Sequence, residues 1–195
     1  MTTRRRDERR LRDPRELSAV AHPVRLGILE ELSLNGPLTA TELGQRLGET
    51  PANCSWHLRK LAEHDFVEEA ETNGGRRRPW QVTGIGLSWG DEQGEPTPEE
   101  RRAGESLGRM LLERWLDRFH ASTARAGSES RDWQTARGMS QTEAYLTAEE
   151  LRGLNLELTA LMQKYRDRLD PANRPDGARL CELVSWGAPI DQEEK

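Results

Sequence analysis

The chain has 195 residues, 34% hydrophobic and 32% charged, with a net charge of −5, and its mean hydropathy is −0.88. That length allows one elaborated domain or two small ones around a modest core. It excludes a helical membrane span, because no apolar run approaches the ~20 residues a bilayer requires, and no apolar segment follows the Arg-rich N-terminus as a secretory signal demands. Two cysteines, Cys54 and Cys181, lie far apart and fit neither a disulfide framework nor a metal motif, so a soluble, cytoplasmic protein is expected.

The negative sum hides an uneven distribution. Residues 1–90 hold 14 Lys and Arg against 13 Asp and Glu, whereas residues 91–195 hold 15 against 21. The cations of the first half cluster in Arg4–Arg15, at Arg59-Lys60 and at Arg76–Arg78. Local patches of this kind suffice for phosphate binding even on an acidic protein.

Residues 1–13 are charged and nearly free of apolar side chains, which predicts a disordered basic tail, either an arm that reaches along a groove or a solubilising extension. From Pro14 a short helix carrying Leu17 and Val20 leads to His22, a cap candidate, and Pro23. Proline opens a second helix to about Leu34, with the apolar stripe Val24, Ile28, Leu29 and Leu32. Asn35-Gly36-Pro37 ends it by turn chemistry. Thr39 and Glu42 then have the spacing of a capping box, flanked by Leu38 and Leu43 as a hydrophobic staple. After Gly48, Thr50 and Pro51 provide an N-cap and first helical position for a helix over about 51–64. Its apolar residues Cys54, Leu58, Leu61 and Ala62 form one inward stripe, leaving Pro51, Ala52, Asn53, Ser55, Trp56, Arg59 and Lys60 outward. Amide, hydroxyl, indole and cationic groups together suit base edges and phosphates; a merely solvated face is the plainer alternative. Phe66–Thr72 and Pro79–Gly84 read as strands flanking Asn73-Gly74, a hairpin signal, and Ile85, Leu87 and Trp89 alternate as though extending the second strand. The hairpin tip carries Arg76, Arg77 and Arg78.

Helices, a glycine-containing turn, a helix and a basic ribbon in this order make a winged helix-turn-helix. The runs Ala19-Val-Ala-His-Pro-Val-Arg-Leu-Gly-Ile-Leu29, Leu38-Thr-Ala-Thr-Glu-Leu-Gly-Gln-Arg-Leu47 and Cys54-Ser-Trp-His-Leu-Arg-Lys-Leu61 resemble the DNA-binding domain of ArsR-type bacterial transcriptional regulators over roughly the first half of the chain. The resemblance implies DNA binding. Metal-sensing members carry a Cys-x-Cys signature near the first helix of the motif, and this chain has none there, so no metal is expected. Mapped onto this chain, the expected DNA-binding residues are Thr50, Asn53, Ser55, Trp56, Arg59, Lys60, Arg76, Arg77 and Arg78, with helix 51–64 in the major groove and wing 73–78 on the minor groove or backbone.

Residues 91–98, rich in Gly, Pro and acidic groups, read as a linker between a DNA-binding domain over 14–90 and a helical region over 99–190, with 191–195 a polar tail. Thr97, Pro98 and Glu100 start a long helix reaching about Ala126. Its Leu107, Met110, Leu111, Leu112, Trp115, Leu116 and Phe119 make a face too wide for a small domain to cover, which predicts homodimerisation, with Leu107, Met110, Leu111, Trp115 and Phe119 as the dimer residues. Residues 127–138 read as a loop holding Trp133. Thr147 and Glu150 box the start of a helix whose stripe runs Leu151, Leu154, Leu158, Leu161, Met162, Tyr165 and Leu169. Residues 178–186 alternate in a way that predicts a short terminal strand rather than a helix. Trp115, Trp133, Tyr145 and Trp186 either line a pocket for a small-molecule effector or, as is commoner, pack as core.

The fold class expected is therefore mainly α with a small β wing: a winged helix-turn-helix followed by a helical C-terminal region with a short terminal strand. No catalytic constellation, phosphate loop or cofactor motif is present in the sequence, so neither an enzyme nor a cofactor is expected. Cys54 and His57 share a helix face, but Cys54 takes a core position. The expected partners are double-stranded DNA, a second copy of the chain and a small-molecule effector, with no membrane. The alternative is a protein-interaction module that uses the acidic second half on the same scaffold.

Overall fold

The computed structural model describes residues 9–11, 13–71, 78–84, 87–88 and 97–190. They fall into two compact units, one up to Asp117 and one from Arg118, so the division lies inside a long helix. Most of the 91–98 stretch lies outside the described residues; Thr97 and Pro98 belong to the start of that helix, with Glu100 N–H donating to Thr97 Oγ1 at 3.2 Å.

The first unit comprises α1 (Pro14–Val20), α2 (Pro23–Asn35), α3 (Ala40–Leu47) and α4 (Pro51–Ala62), each begun by the local chemistry its sequence offers. Asp13 accepts the Arg15 N–H for α1, and His22 Nδ1 accepts the Val24 N–H for α2. Thr39 and Glu42 form the full reciprocal box on α3. Gly48 ends α3 in the left-handed region at φ 70°, where a side chain costs energy. Gly44 is required for a different reason: a Cβ there would lie 2.7 Å from the Glu49 carbonyl oxygen. That close approach, with the Glu49 N–H donating to the Gly44 carbonyl at 2.9 Å, sets the sharp turn into α4.

Strands β2 (Val67–Glu69) and β3 (Trp80–Val82) pair antiparallel with Val67 opposite Val82 and Glu69 opposite Trp80. Leu38 adds an isolated antiparallel bridge to Trp80. Both strands are shorter than the alternation predicted. The tip, including Arg76 and Arg77, lies outside the described residues. The core of the unit gathers Val20, Ile28, Leu32, Leu43, Leu58, Leu61 and Val82, all buried. This is the mainly helical winged helix-turn-helix expected.

Two expectations for this unit are corrected. Residues 1–8 and 12 of the tail expected to be disordered lie outside the described residues, but within it Arg9–Arg10 (β1) pairs in parallel with Leu87–Ser88 (β4), and Leu11 is fully buried in the core. The single leucine in a charged stretch is the anchor, and the cations around it masked it. In the same way Leu87, read as an extension of the hairpin strand, pairs with the N-terminal segment instead.

Helix α5 (Pro98–Arg125) begins in the first unit, where Leu107 is 0% exposed and Ala103, Met110 and Leu111 pack against the same core. Arg114 on α5 is paired with Glu30 on α2. Of the residues assigned from sequence to a dimer face, Leu107 is buried in the chain's own core, while Met110, Leu111 and Trp115 are only partly buried. The large apolar residues that α5 leaves exposed are Leu112, Leu116 and Phe119, at 40%, 45% and 45%.

The second unit holds the end of α5, a short α6 (Arg131–Thr135) and α7 (Ala148–Gln163), joined by turns. The region 127–138 is therefore not all loop: α6 forms around Trp133, over whose ring the Arg179 guanidinium sits at 4.7 Å. The Thr147–Glu150 box is present, but α7 stops six residues short of Leu169, which falls in a 3-10 turn. The terminal strand is absent. Residues 178–190 have no regular secondary structure and are tied to the rest of the unit by Arg179 to Glu129, Glu182 to Arg118 and the Asn155 amide to the Gly187 carbonyl. A strand needs an edge to pair with, and the described elements of this unit are all helical.

Candidate nucleic-acid interface

Helix α4 carries most of the residues singled out for DNA. Cys54, Leu58 and Leu61 are fully buried, which fixes the roll of the helix and leaves Pro51, Ala52, Trp56 and Arg59 exposed. Thr50 caps the helix, its Oγ1 accepting the Asn53 N–H at 3.1 Å, so its hydroxyl is structural. Trp56 is 48% exposed. Its indole stands edge-on to the His57 ring at 4.8 Å, which braces a large apolar plate at the surface. Ser55 is half-buried on the neighbouring face.

The cations differ in how free they are. Arg59 is exposed and makes no ion pair among the described residues. Lys60 is held by Glu63, Nζ lying 2.9 and 3.0 Å from its two carboxylate oxygens. Arg78, at the foot of the wing, is largely exposed and lies 3.9 Å from Glu69. Since Arg76 and Arg77 are outside the described residues, the surface seen consists of α4 and the base of the ribbon.

Asn53, read as outward, is half-buried, and its side-chain NH2 donates to Glu49 at 2.8 Å. Sequence reasoning missed Glu49. The signal was available: the residue lies four positions before Asn53, a spacing that brings side chains together across the start of a helix.

Beneath lies a pairing of two histidines that sequence reasoning named only separately. The His22 and His57 rings are 4.5 Å apart, one capping α2 and the other buried on the inner side of α4, where His57 Nδ1 has no hydrogen-bond partner among the described residues. Burial pushes the pKa of each imidazole below its ordinary value; Arg25 pushes both the same way, the His22 charge adds to this at His57, and Glu49 opposes it. Burial, reinforced by Glu49, pushes the Cys54 thiol up, which disfavours the reactive thiolate. Among the described residues no group of three or more His, Cys, Asp or Glu side chains is arranged to hold a metal ion, and no helix is long and apolar enough to cross a membrane.

Residues 20–70, from the end of α1 through β2, match the family model of a helix-turn-helix domain. No curated protein matches the chain significantly. Among solved structures the chain is similar to the YusO protein from Bacillus subtilis, at 16% identity over 77% of this chain and 84% of that one, with a TM-score of 0.31. It is also similar to the transcriptional regulator Tm0710 from Thermotoga maritima, at 11% identity over 77% and 87% and a TM-score of 0.30. A third is NMB1585, a MarR family regulator from Neisseria meningitidis, at 13% identity over 80% and 80% and a TM-score of 0.29.

Proposed function

We propose that this chain is a sequence-specific DNA-binding transcriptional regulator of the ArsR type, without metal sensing, that acts as a homodimer on a pseudo-palindromic operator. Residues 14–90 bind DNA, with α4 in the major groove and the ribbon over 73–78 on the minor groove or backbone. Residues 99–190 carry the dimer interface and receive a small-molecule effector. The reading rests above all on one observation: α4 follows a built helix-turn-helix corner and buries its apolar stripe completely, so Trp56 and Arg59 are presented to solvent at a fixed roll. A side chain held that way reads a base edge without first losing its freedom.

Dimerisation supports the same reading mechanically. One recognition helix reaches only a few base pairs, and two helices about 34 Å apart meet successive turns of one groove face. The exposed Leu112, Leu116 and Phe119 row on α5 is the face assigned to the partner copy. The test is duplex binding by the full chain across a range of salt. Binding that weakens steeply with salt, as counterion release requires, supports the proposal. No duplex binding at low salt contradicts it and favours the protein-interaction module.

A further inference from the structure

Resting on the reading of α4 as the recognition helix, we infer that Glu49 is a specificity-determining residue: it ties down the Asn53 amide and turns this corner of the surface into one that selects cytosine. A carboxylate only accepts hydrogen bonds, so the Asn53 atom 2.8 Å from Glu49 is the NH2 donor. The carbonyl Oδ1 is left without a partner among the described residues. A free asparagine amide pairs bidentately with adenine, giving a hydrogen to N7 and accepting one from N6. Here the donor is already engaged by an anion, and the groups left to meet a base are acceptors: Asn53 Oδ1 and the remaining lone pairs of Glu49.

Such a surface discriminates among all four bases. Guanine and thymine offer acceptors in the major groove, which face acceptors and a negative charge. Adenine offers its amino group beside the N7 acceptor. Cytosine alone offers only a donor, its N4 amino group. Glu49 is held for this task by its backbone: its N–H donates to Gly44, its carbonyl rests on the bare Cα of Gly44, and Thr50 caps the helix immediately after it. Asn53 is held in turn through its own N–H on Thr50. Both side chains are half-exposed, so a base reaches them. Glu49 is thus a positioning residue for Asn53 and a barrier to acceptor-bearing bases.

The experiment selects binding sites from a randomised duplex pool with the full chain and three variants, with thermal unfolding recorded for each. The parent enriches cytosine at one symmetric pair of positions. Glu49→Ala frees the amide and moves the preference at those positions to adenine, by about tenfold in the ratio of affinities. Glu49→Gln keeps an acceptor for the Asn53 amide and keeps cytosine. Asn53→Ala loses discrimination at the same positions, a result that does not depend on any Glu49 variant folding. A Glu49→Ala protein that selects the parent's base, a switch to adenine in Glu49→Gln, or an Asn53→Ala protein with undiminished preference overturns the inference while leaving DNA binding intact. A parent protein that retains no duplex overturns the proposed function, and this inference with it.

Discussion

Helices α4 and α7 have equally clean apolar stripes in sequence and opposite fates in the fold. On α4, Cys54, Leu58 and Leu61 are fully buried. On α7, Leu154, Leu161 and the stripe's continuation at Tyr165 are exposed, and no described residue of the second unit is fully buried. Three- and four-residue spacing shows that a helix has a face to cover, but not that the same chain covers it. The first unit closes its core by recruiting distant pieces, Leu11 from the N-terminus and Leu107 from α5. Among the described residues of the second unit nothing closes a core in that way, so much of its apolar surface stays in water.

Substitutions make that contrast measurable. Leu58→Ala leaves a cavity in a closed core and should cost ~2–5 kcal/mol, read as a lower midpoint in urea unfolding followed by far-ultraviolet circular dichroism. Leu161→Ala, on a surface already in water, should change the stability of a dilute sample by less than ~0.5 kcal/mol. Equal losses at the two positions would erase the distinction.

The partner face is tested next. Leu116→Arg and Phe119→Arg place a charge on the exposed row of α5 and should halve the mass seen by light scattering at micromolar concentration, with the circular dichroism spectrum retained. Leu107→Arg, which buries a charge in the first unit's own core, should unfold the protein instead. A parent protein that is already monomeric would rule out the proposed dimer.

Much of the first unit was legible because its signals are local. Thr39 with Glu42, Thr50 with Pro51 and Asn35-Gly36-Pro37 act within one turn of helix, and the helices begin and end where these residues stand. Leu11, Leu107 and the β1–β4 pairing were not legible, because each depends on which distant surface happened to need filling. The residues 178–186 alternate as a strand should, yet strand formation needs a neighbouring edge that no single segment can specify. At the candidate site Trp56 and Arg59 followed from the burial of Cys54 and Leu58. Asn53 did not, since its amide is claimed by Glu49 across the turn.

The paired histidines give a smaller effect, confined to the first unit. Both folded-state pKa values lie below the ordinary value of 6.5. The unfolded chain therefore binds protons first as pH falls, so stability is fully present above about pH 6.5 and declines as pH drops toward the lowered folded values. Unfolding midpoints should fall between about pH 7.5 and 5.5, above the range where carboxylates titrate, and His57→Gln should flatten the decline. A midpoint that stays level, or rises, over that interval contradicts the packing of His22 on His57.

If α4 specifies sequence while the wing supplies electrostatic attachment, one titration tests both halves of the division. Binding is followed by fluorescence anisotropy against salt concentration, on a site recovered by selection and on random duplex, for the parent, Trp56→Ala and a variant with Arg76, Arg77 and Arg78 all changed to Gln. Trp56→Ala should lose ~1–3 kcal/mol on the selected site with little change on random DNA. The wing variant should weaken on both and lower the salt slope by about 0.9 for each phosphate it no longer neutralises. If the wing variant keeps the parent's slope and Trp56→Ala binds the selected site normally, this surface is not where the protein meets DNA.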